Sequence, residues 1–266
     1  MEKWRLIKDS PRNAASNLSI DEVLLKNLDE KGTENILKFN YFTPPAVILG
    51  INQTTNVLNT NFIQKNQFDI NRRLTGGAAI LIGYPHKHSQ MGLSFFVRLN
   101  EKIPLKLSDK FKYFSNILIK TLKRLDLNPK YNKNSDISVN GRKIVGNGIY
   151  ILKNAFLFHS IILLDFNFFI TSKILKLDDP KVDEKLIPTS LKNEMKQDLS
   201  FDILENKIIE TIKVEWNVKF NNKKLNKEEF KLSEQLRKEK YAKNSWILQK
   251  SENLAEFGSC FIPSEN

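Results

Sequence analysis

Three strand-like segments between residues 137 and 164 limit the fold more than any other feature of the chain. Ile137-Ser138-Val139, Gly148 to Leu152 and Phe156 to Leu164 are rich in β-branched and aromatic residues. Asn140-Gly141 and Lys153-Asn154 separate them at hairpin-turn positions, a pattern that pairs neighbouring strands antiparallel. Glu2 to Ile7, Ala46 to Leu49, Ala79 to Leu81 and Leu93 to Val97 read as further strands. Between them, Asn17 to Leu28 places Ile20, Leu24, Leu25 and Leu28 on one side at helical spacing. Phe111, Phe114, Leu118, Leu122 and Leu125 repeat that spacing in a helix that Ser108 is placed to cap. Phe201 to Val214 and Lys227 to Ala242 are helical in pattern. Strands and helices mix without regular βαβ alternation, so the expectation is α+β: one domain with a mixed, largely antiparallel sheet flanked by helices. It ends near Lys250, and residues 251–266 read as a tail.

Composition narrows the class. Hydrophobic residues are 41% of the 266, aromatic residues 10%, so a sizeable core is available and disorder is excluded as the dominant state. Lys and Arg outnumber Asp and Glu by 42 − 30 = +12, which suits an acidic partner. One cysteine, Cys260, excludes a disulfide framework and a cysteine-rich zinc site. Residues 1–20 have no signal-peptide core, and Phe156 to Ile170 is interrupted by His159, Asp165 and Asn167. The expected setting is the cytoplasm, with no membrane partner.

Two segments could carry chemistry. In Arg72-Arg73-Leu74-Thr75-Gly76-Gly77-Ala78, adjacent glycines let backbone N–H groups approach a ligand, and the arginines could neutralise a phosphate or carboxylate. A Gly-Gly turn beside a solvated basic pair accounts for the same residues. In Asp136 to Gly148, the Asn140-Gly141 turn feeds Lys143 into an apolar strand with glycines beyond it. Held inward, its ammonium would stabilise developing negative charge, and Asp136 could hold a divalent ion or pin that lysine. An ordinary hairpin with Arg142 and Lys143 on its wet face is the alternative. His159 in its apolar strand fits a hydrogen-bonded core residue, and His86-Lys87-His88 a loop. The segment from Asn221 to Lys250 holds nine basic and four acidic residues, read as a solvated helix face and not as a nucleic-acid module.

Taken together and in order, these segments resemble the lipoate–protein ligase A and octanoyltransferase family of the biotin/lipoate ligase superfamily. The opening Trp4-Arg5-Leu6-Ile7 with Asn17 to Leu25, the strand Ala46 to Gly50 with Gln53, and the Arg72-Arg73-x-Thr75-Gly76-Gly77 loop carry the resemblance. So do Asp136 with Gly141-Arg142-Lys143-Ile144-x-Gly146, His159 with Ile161 to Asp165, Ile187 to Lys192, and Glu239-Lys240-Tyr241 with Trp246. Ala78 stands at the usual third glycine, Ile82-Gly83 at a His-Asp pair, Asn147 within a Gly-Ser-Ala, and Ser160 at a glycine.

The resemblance implies a biotin/lipoate ligase-type catalytic domain over residues 1–250. Its implied reaction activates lipoate or octanoate with ATP to an acyl-adenylate, then transfers the acyl group to a specific lysine of a lipoyl domain. Lys143 is the implied catalytic residue. Arg72, Thr75, Gly76, Gly77, Ala78, Gly146 and His159 would surround the lipoyl-adenylate, and Asp136 would serve the Mg²⁺ region. Implied cofactors are ATP and Mg²⁺, with lipoate as substrate. The chain resembles the short form that lacks a C-terminal accessory domain, which implies a separate accessory subunit. Acceptors of such systems, 2-oxoacid dehydrogenase E2 or a glycine-cleavage H-like protein, are acidic, and a +12 surface would steer them. Alternatives are an octanoyl or lipoyl transferase drawing on an acyl-carrier protein, and a non-catalytic lipoyl-binding paralogue. Transferases of this family need a thiol, yet residues 1–259 contain no cysteine. The loop Tyr84 to Met91 is expected to close over the ligand.

Overall fold

A computed structural model describes residues 1–8, 10–132, 135–175 and 187–248. Strand β1 (Glu2–Lys8) leads into helix α1 (Ala14–Lys31), β2 (Ile36–Asn40) and β3 (Ala46–Leu49). Next come α2 (Thr60–Lys65), β4 (Asp69–Arg72), β5 (Ile80–Ile82), β6 (Gln90–Arg98) and α3 (Leu107–Lys123). The hairpins follow as β7 (Pro129–Tyr131), β8 (Ile137–Val139), β9 (Arg142–Ile151) and β10 (Ala155–Leu163). The chain continues through α4 (Phe168–Ile174), α5 (Leu191–Met195), α6 (Phe201–Trp216), β11 (Val218–Asn222), α7 (Lys227–Leu236), a π-helical turn (Arg237–Tyr241) and α8 (Asn244–Leu248).

The strands form two sheets. Eight pair in the order β11-β1-β2-β6-β10-β9-β8-β7, parallel at β11-β1-β2 and antiparallel beyond. A separate sheet has the order β4-β3-β5. The mixed α+β expectation holds; the second sheet was not expected. β4 reads Asp-Ile-Asn-Arg, without the apolar alternation that marks a strand.

The two faces of the large sheet differ in content. Alternation along β6 sends Phe95 into one core with Phe111, Phe114 and Phe158, and Phe96 into the other with Ile20, Leu24, Leu25 and Leu28 of α1. Each such fully buried side chain contributes about 1.5–3 kcal/mol of transfer free energy. α1 starts at Asn13, whose side chain accepts from the Ser16 N–H, and stops at Gly32 in the left-handed region. Along β10 the same alternation turns Phe156 and Phe158 toward α3, and Leu157 and His159 toward α1.

Two local expectations change. The cap of α3 is Lys106, and Ser108 lies inside the first turn. The basic C-terminal stretch starts as a strand, β11, and its helix is broken by the π-helical turn. Residues 84–91 are bonded to neighbouring segments. Ser89 O accepts from the Leu164 and Asp165 N–H groups, Gln90 bonds Gly83, Tyr84 and Asp165, and His88 packs 5.4 Å from the Phe201 ring. The proposed tail, Cys260 included, lies outside the described residues.

Candidate active site

Lys143 lies near the start of β9, where the pairing with β8 slips. Ile137 pairs with Val145 but the next residue, Ser138, pairs with Lys143, so Ile144 is an extra residue. Such a bulge re-aims the side chains on either side of it. Here it turns Lys143 onto the face shared by Gly146 and Gly148. A Cβ at Gly146 would stand 3.1 Å from Lys143 Cε and 3.2 Å from Nζ. Nζ is 2.9 Å from Asp136 Oδ2, with the lysine side chain 41% exposed and the aspartate 21%. Burial pushes the Asp136 carboxyl above the usual carboxylate range, and the Lys143 charge offsets part of that push. The segment 187–190 seats this corner: Thr189 N–H donates to Lys143 O, and Arg142 donates to the carbonyls of Ile187 and Pro188.

Two residues along the same face, about 7 Å away by strand rise, Gly148 meets the other sequence candidate. A Cβ there would lie 2.9 Å from Thr75 Oγ1 and 3.6 Å from Gly76 O. The loop after β4 therefore rests on a glycine floor. Arg73 shapes it from behind, donating to Ile48 O, Gly76 O, Ala78 O and Thr75 Oγ1. Gly77 O is wedged against Gly50, where a Cβ would come within 2.1 Å. In a trans peptide the N–H of the next residue points opposite to the carbonyl. Drawing the carbonyls of Gly76, Gly77 and Ala78 to one side thus turns the N–H groups of Gly77, Ala78 and Ala79 to the other. Such a row of amides is suited to an anion.

His159 pairs with Gly148 across the sheet and stands under the loop. Its Nε2 is 2.8 Å from Asp21 Oδ2, and Nδ1 is 3.4 Å from Thr75 Oγ1. Asp21 also accepts from Lys38 Nζ at 2.7 Å and from Ser94 Oγ at 2.9 Å; Lys38 further donates to Asn40. Burial alone would raise the Asp21 carboxyl, but the Lys38 charge and the His159 contact outweigh it and hold it at about 2. An ionised Asp21 assigns the imidazole hydrogen to Nε2, leaving Nδ1 to accept from Thr75. His159 is thus a hydrogen-bonded residue that links the core to the loop.

Arg72 is placed differently from its neighbours. Its side chain is fully buried and donates to the carbonyls of Gly50, Ile51, Gln53, Trp246 and Ile247. Its guanidinium thus faces main chain and not the open side of the loop. Desolvation lowers both arginines from their ordinary value, Arg73 to about 10, and leaves both charged at neutral pH.

The arrangement sets a lysine ammonium at Gly146 and a glycine-containing loop at Gly148 along one face of β9, a spacing suited to an elongated ligand. Among the described residues no three His, Cys, Asp or Glu side chains converge. Asp136 alone fits Mg²⁺ in the manner of phosphate sites, where the ion takes one or two carboxylates and keeps several waters. His86 and His88 lie in the 84–89 loop as expected, and no described helix is long and apolar enough to cross a membrane.

Comparison with known proteins places the chain in a family. The family profile described as "Lipoyl protein ligase A/B catalytic domain" matches residues 13–213. Lipoate-protein ligase LplJ of Bacillus subtilis is 29% identical over 170 residues, 64% of this chain and 48% of that protein, so the match spans about half of that relative. Lipoate-protein ligase A subunit 1 of Thermoplasma acidophilum is 24% identical over 92% of this chain and 96% of its own. Octanoyltransferase LipM of Clostridioides difficile is 23% identical over 83% and 89%. In structure, the bi-partite lipoate protein ligase of T. acidophilum, described with its E2 lipoyl domain, superposes with a TM-score of 0.81 at 22% identity, covering 93% of this chain and 97% of that one. With three quarters of its length inside the family profile, the chain belongs to the lipoyl protein ligase A/B catalytic-domain family.

Proposed function

We propose that the chain is an ATP-dependent lipoate–protein ligase. The carboxylate of lipoate or octanoate displaces pyrophosphate from ATP to form an acyl-adenylate, and the amine of one lysine of an acidic apo lipoyl domain in the cytoplasm then displaces AMP to form the amide. The observation that carries this reading is Lys143, held by Asp136 over Gly146 on the face of β9 whose Gly148 meets the Thr75–Gly76 loop, in a span without a cysteine. Lys143 Nζ donates to the carboxyl oxygen that gains charge as the acceptor amine attacks, and the Gly77 and Ala78 amides receive the phosphate. Asp136 fixes the ammonium before substrate arrives. Mg²⁺ carried by the nucleotide would find its protein carboxylate at Asp136 and supply charge neutralisation on the phosphates. The similarity to a subunit of a bi-partite ligase supports a separate accessory subunit.

The test supplies presynthesised lipoyl-adenylate and an apo lipoyl domain and reads the acceptor's intact mass. A lipoyl-sized gain that disappears in Lys143→Ala supports the reading; no gain above the uncatalysed background overturns it. Full ATP-dependent ligation by the purified chain alone would remove the accessory subunit from the proposal. The similarity to octanoyltransferases keeps a second reading open. ATP-independent transfer from an octanoyl-carrier protein, abolished by Cys260→Ser, would establish that reading.

A further inference from the structure

The span matched by the family profile ends at residue 213, yet the loop is secured from beyond it. Residues 237–248 cross behind β4 as a strap. Asn71 Nδ2 donates to Tyr241 O, Arg72 donates through Nε to Trp246 O and through Nη2 to Ile247 O, and Trp246 Nε1 returns a bond to Arg72 O at 3.0 Å. The Asn71 amide nitrogen and the Nε and Nη2 of Arg72 are thus committed to the strap, while Arg72 Nη1 bonds Gly50, Ile51 and Gln53. On its far side the strap is tied to α1: Lys240 Nζ and Tyr241 Oη both lie 2.7 Å from Glu22 Oε2, and Lys240 sits 4.0 Å over the Trp246 ring. Arg72 is followed at once by Arg73, whose guanidinium sets the carbonyls of the loop.

We propose that the strap is a working part of the ligand loop and that Trp246 is a positioning residue for it. By fixing the Arg72 carbonyl and receiving the Arg72 guanidinium on its own main chain, the Trp246 segment sets the direction in which Arg73 and Thr75 leave β4. The amide row of Gly77 to Ala79 is then aimed by residues about 170 positions later in the chain. This inference rests on the ligase reading only for which ligand the loop receives.

The experiment follows backbone hydrogen exchange at residues 73–79 in the full chain, without any ligand, for Trp246→Phe and Lys240→Met. The first deletes the bond to Arg72 O while keeping an aromatic ring. The second removes one of the strap's two bonds to Glu22 and leaves the Tyr241–Glu22 and Trp246–Arg72 bonds in place. Exchange at 73–79 is expected to quicken about five- to tenfold in Trp246→Phe, the scale of one lost buried hydrogen bond, while the central strands β6 and β10 are unchanged. Lys240→Met is expected to move the same peptide less, and it serves as the readout should Trp246→Phe not fold. Alongside, the KM for lipoyl-adenylate is expected to rise by a similar factor with kcat within twofold. Unchanged exchange at 73–79, or an equal rise everywhere, overturns the proposal. A wild-type chain that does not use lipoyl-adenylate, with the exchange difference still present, overturns the ligase reading and leaves the strap in place.

Discussion

Lys143 Nζ lies 2.9 Å from Asp136 Oδ2 and 3.2 Å from where a Cβ at residue 146 would stand. The pair is partly exposed, so it contributes little stability, about 0–1 kcal/mol. Its worth is geometric. Lys143→Ala is expected to slow acyl transfer from lipoyl-adenylate about 10²- to 10³-fold, the range for losing one preorganised donor, with the melting temperature unchanged. Asp136→Asn keeps the lysine but not its alignment, and about a tenfold loss is expected on the same effect's lower side. Equal losses in the two variants would mean that Asp136 does more than hold Lys143.

Two glycines separate stability from activity. At Gly146 an added methyl meets the flexible end of Lys143, so Gly146→Ala should fold normally and lose rate. At Gly50 it meets the Gly77 main-chain oxygen at 2.1 Å, which cannot swing away. Gly50→Ala is expected to cost about 1–3 kcal/mol, as overpacking does, and to weaken adenylate binding as well. Urea unfolding and equilibrium binding, run on both variants, check the contrast.

Much of this was readable in the chain. Asn140-Gly141 fixed the hairpin that carries Lys143, and both residues adopt the left-handed backbone that such a turn needs. The bulge at Ile144 was not readable, because its sequence, Lys-Ile-Val-Gly, fits an unbroken strand equally well. The inward course of Arg72 was hidden for a similar reason: two adjacent arginines look alike until a strap from the far end of the chain supplies carbonyls for one of them. Asp21 and Lys38 did leave a signal. Asp21 stands one turn from Leu24 and Leu25 on the apolar side of α1, and period-two alternation turns Lys38 away from Leu37 and Phe39. Two charges on facing apolar surfaces are the mark of a buried pair.

That pair gives a stability prediction. Asp21→Ala would leave the fully buried Lys38 uncompensated, a loss of about 3–5 kcal/mol, and adding Lys38→Met should restore much of it. The pH dependence has a definite sign. Asp21 titrates at about 2 in the fold against 3.8 ordinarily, so the unfolded chain binds the extra proton between those values. Its stabilisation, about 2 kcal/mol for this shift, is present above pH 4 and is lost as pH falls toward 2. Urea midpoints measured down this acid limb should fall less steeply in the Asp21→Ala/Lys38→Met chain than in wild type.

Cys260→Ser is expected to leave transfer from lipoyl-adenylate within twofold of wild type, since an adenylate route needs no thiol. Intact-mass kinetics on the acceptor give the answer in one comparison, and a loss beyond tenfold would point to a thioester.

The lysine and the glycine loop belong to different sheets, which meet where Gly148 of β9 lies against Thr75 and Gly76; the contact of Gly50 with Gly77 packs the loop within the small sheet. A Cβ at Gly148 would come 2.9 Å from Thr75 Oγ1, so on the inward face of β9 a methyl fits at Gly146, and at Gly148 only if the loop moves. The small sheet comes to that strand through the loop between β4 and β5. Its turns after β3 and before β5 are where a different acyl length or head group would be written, while the strand that carries the lysine stays as it is.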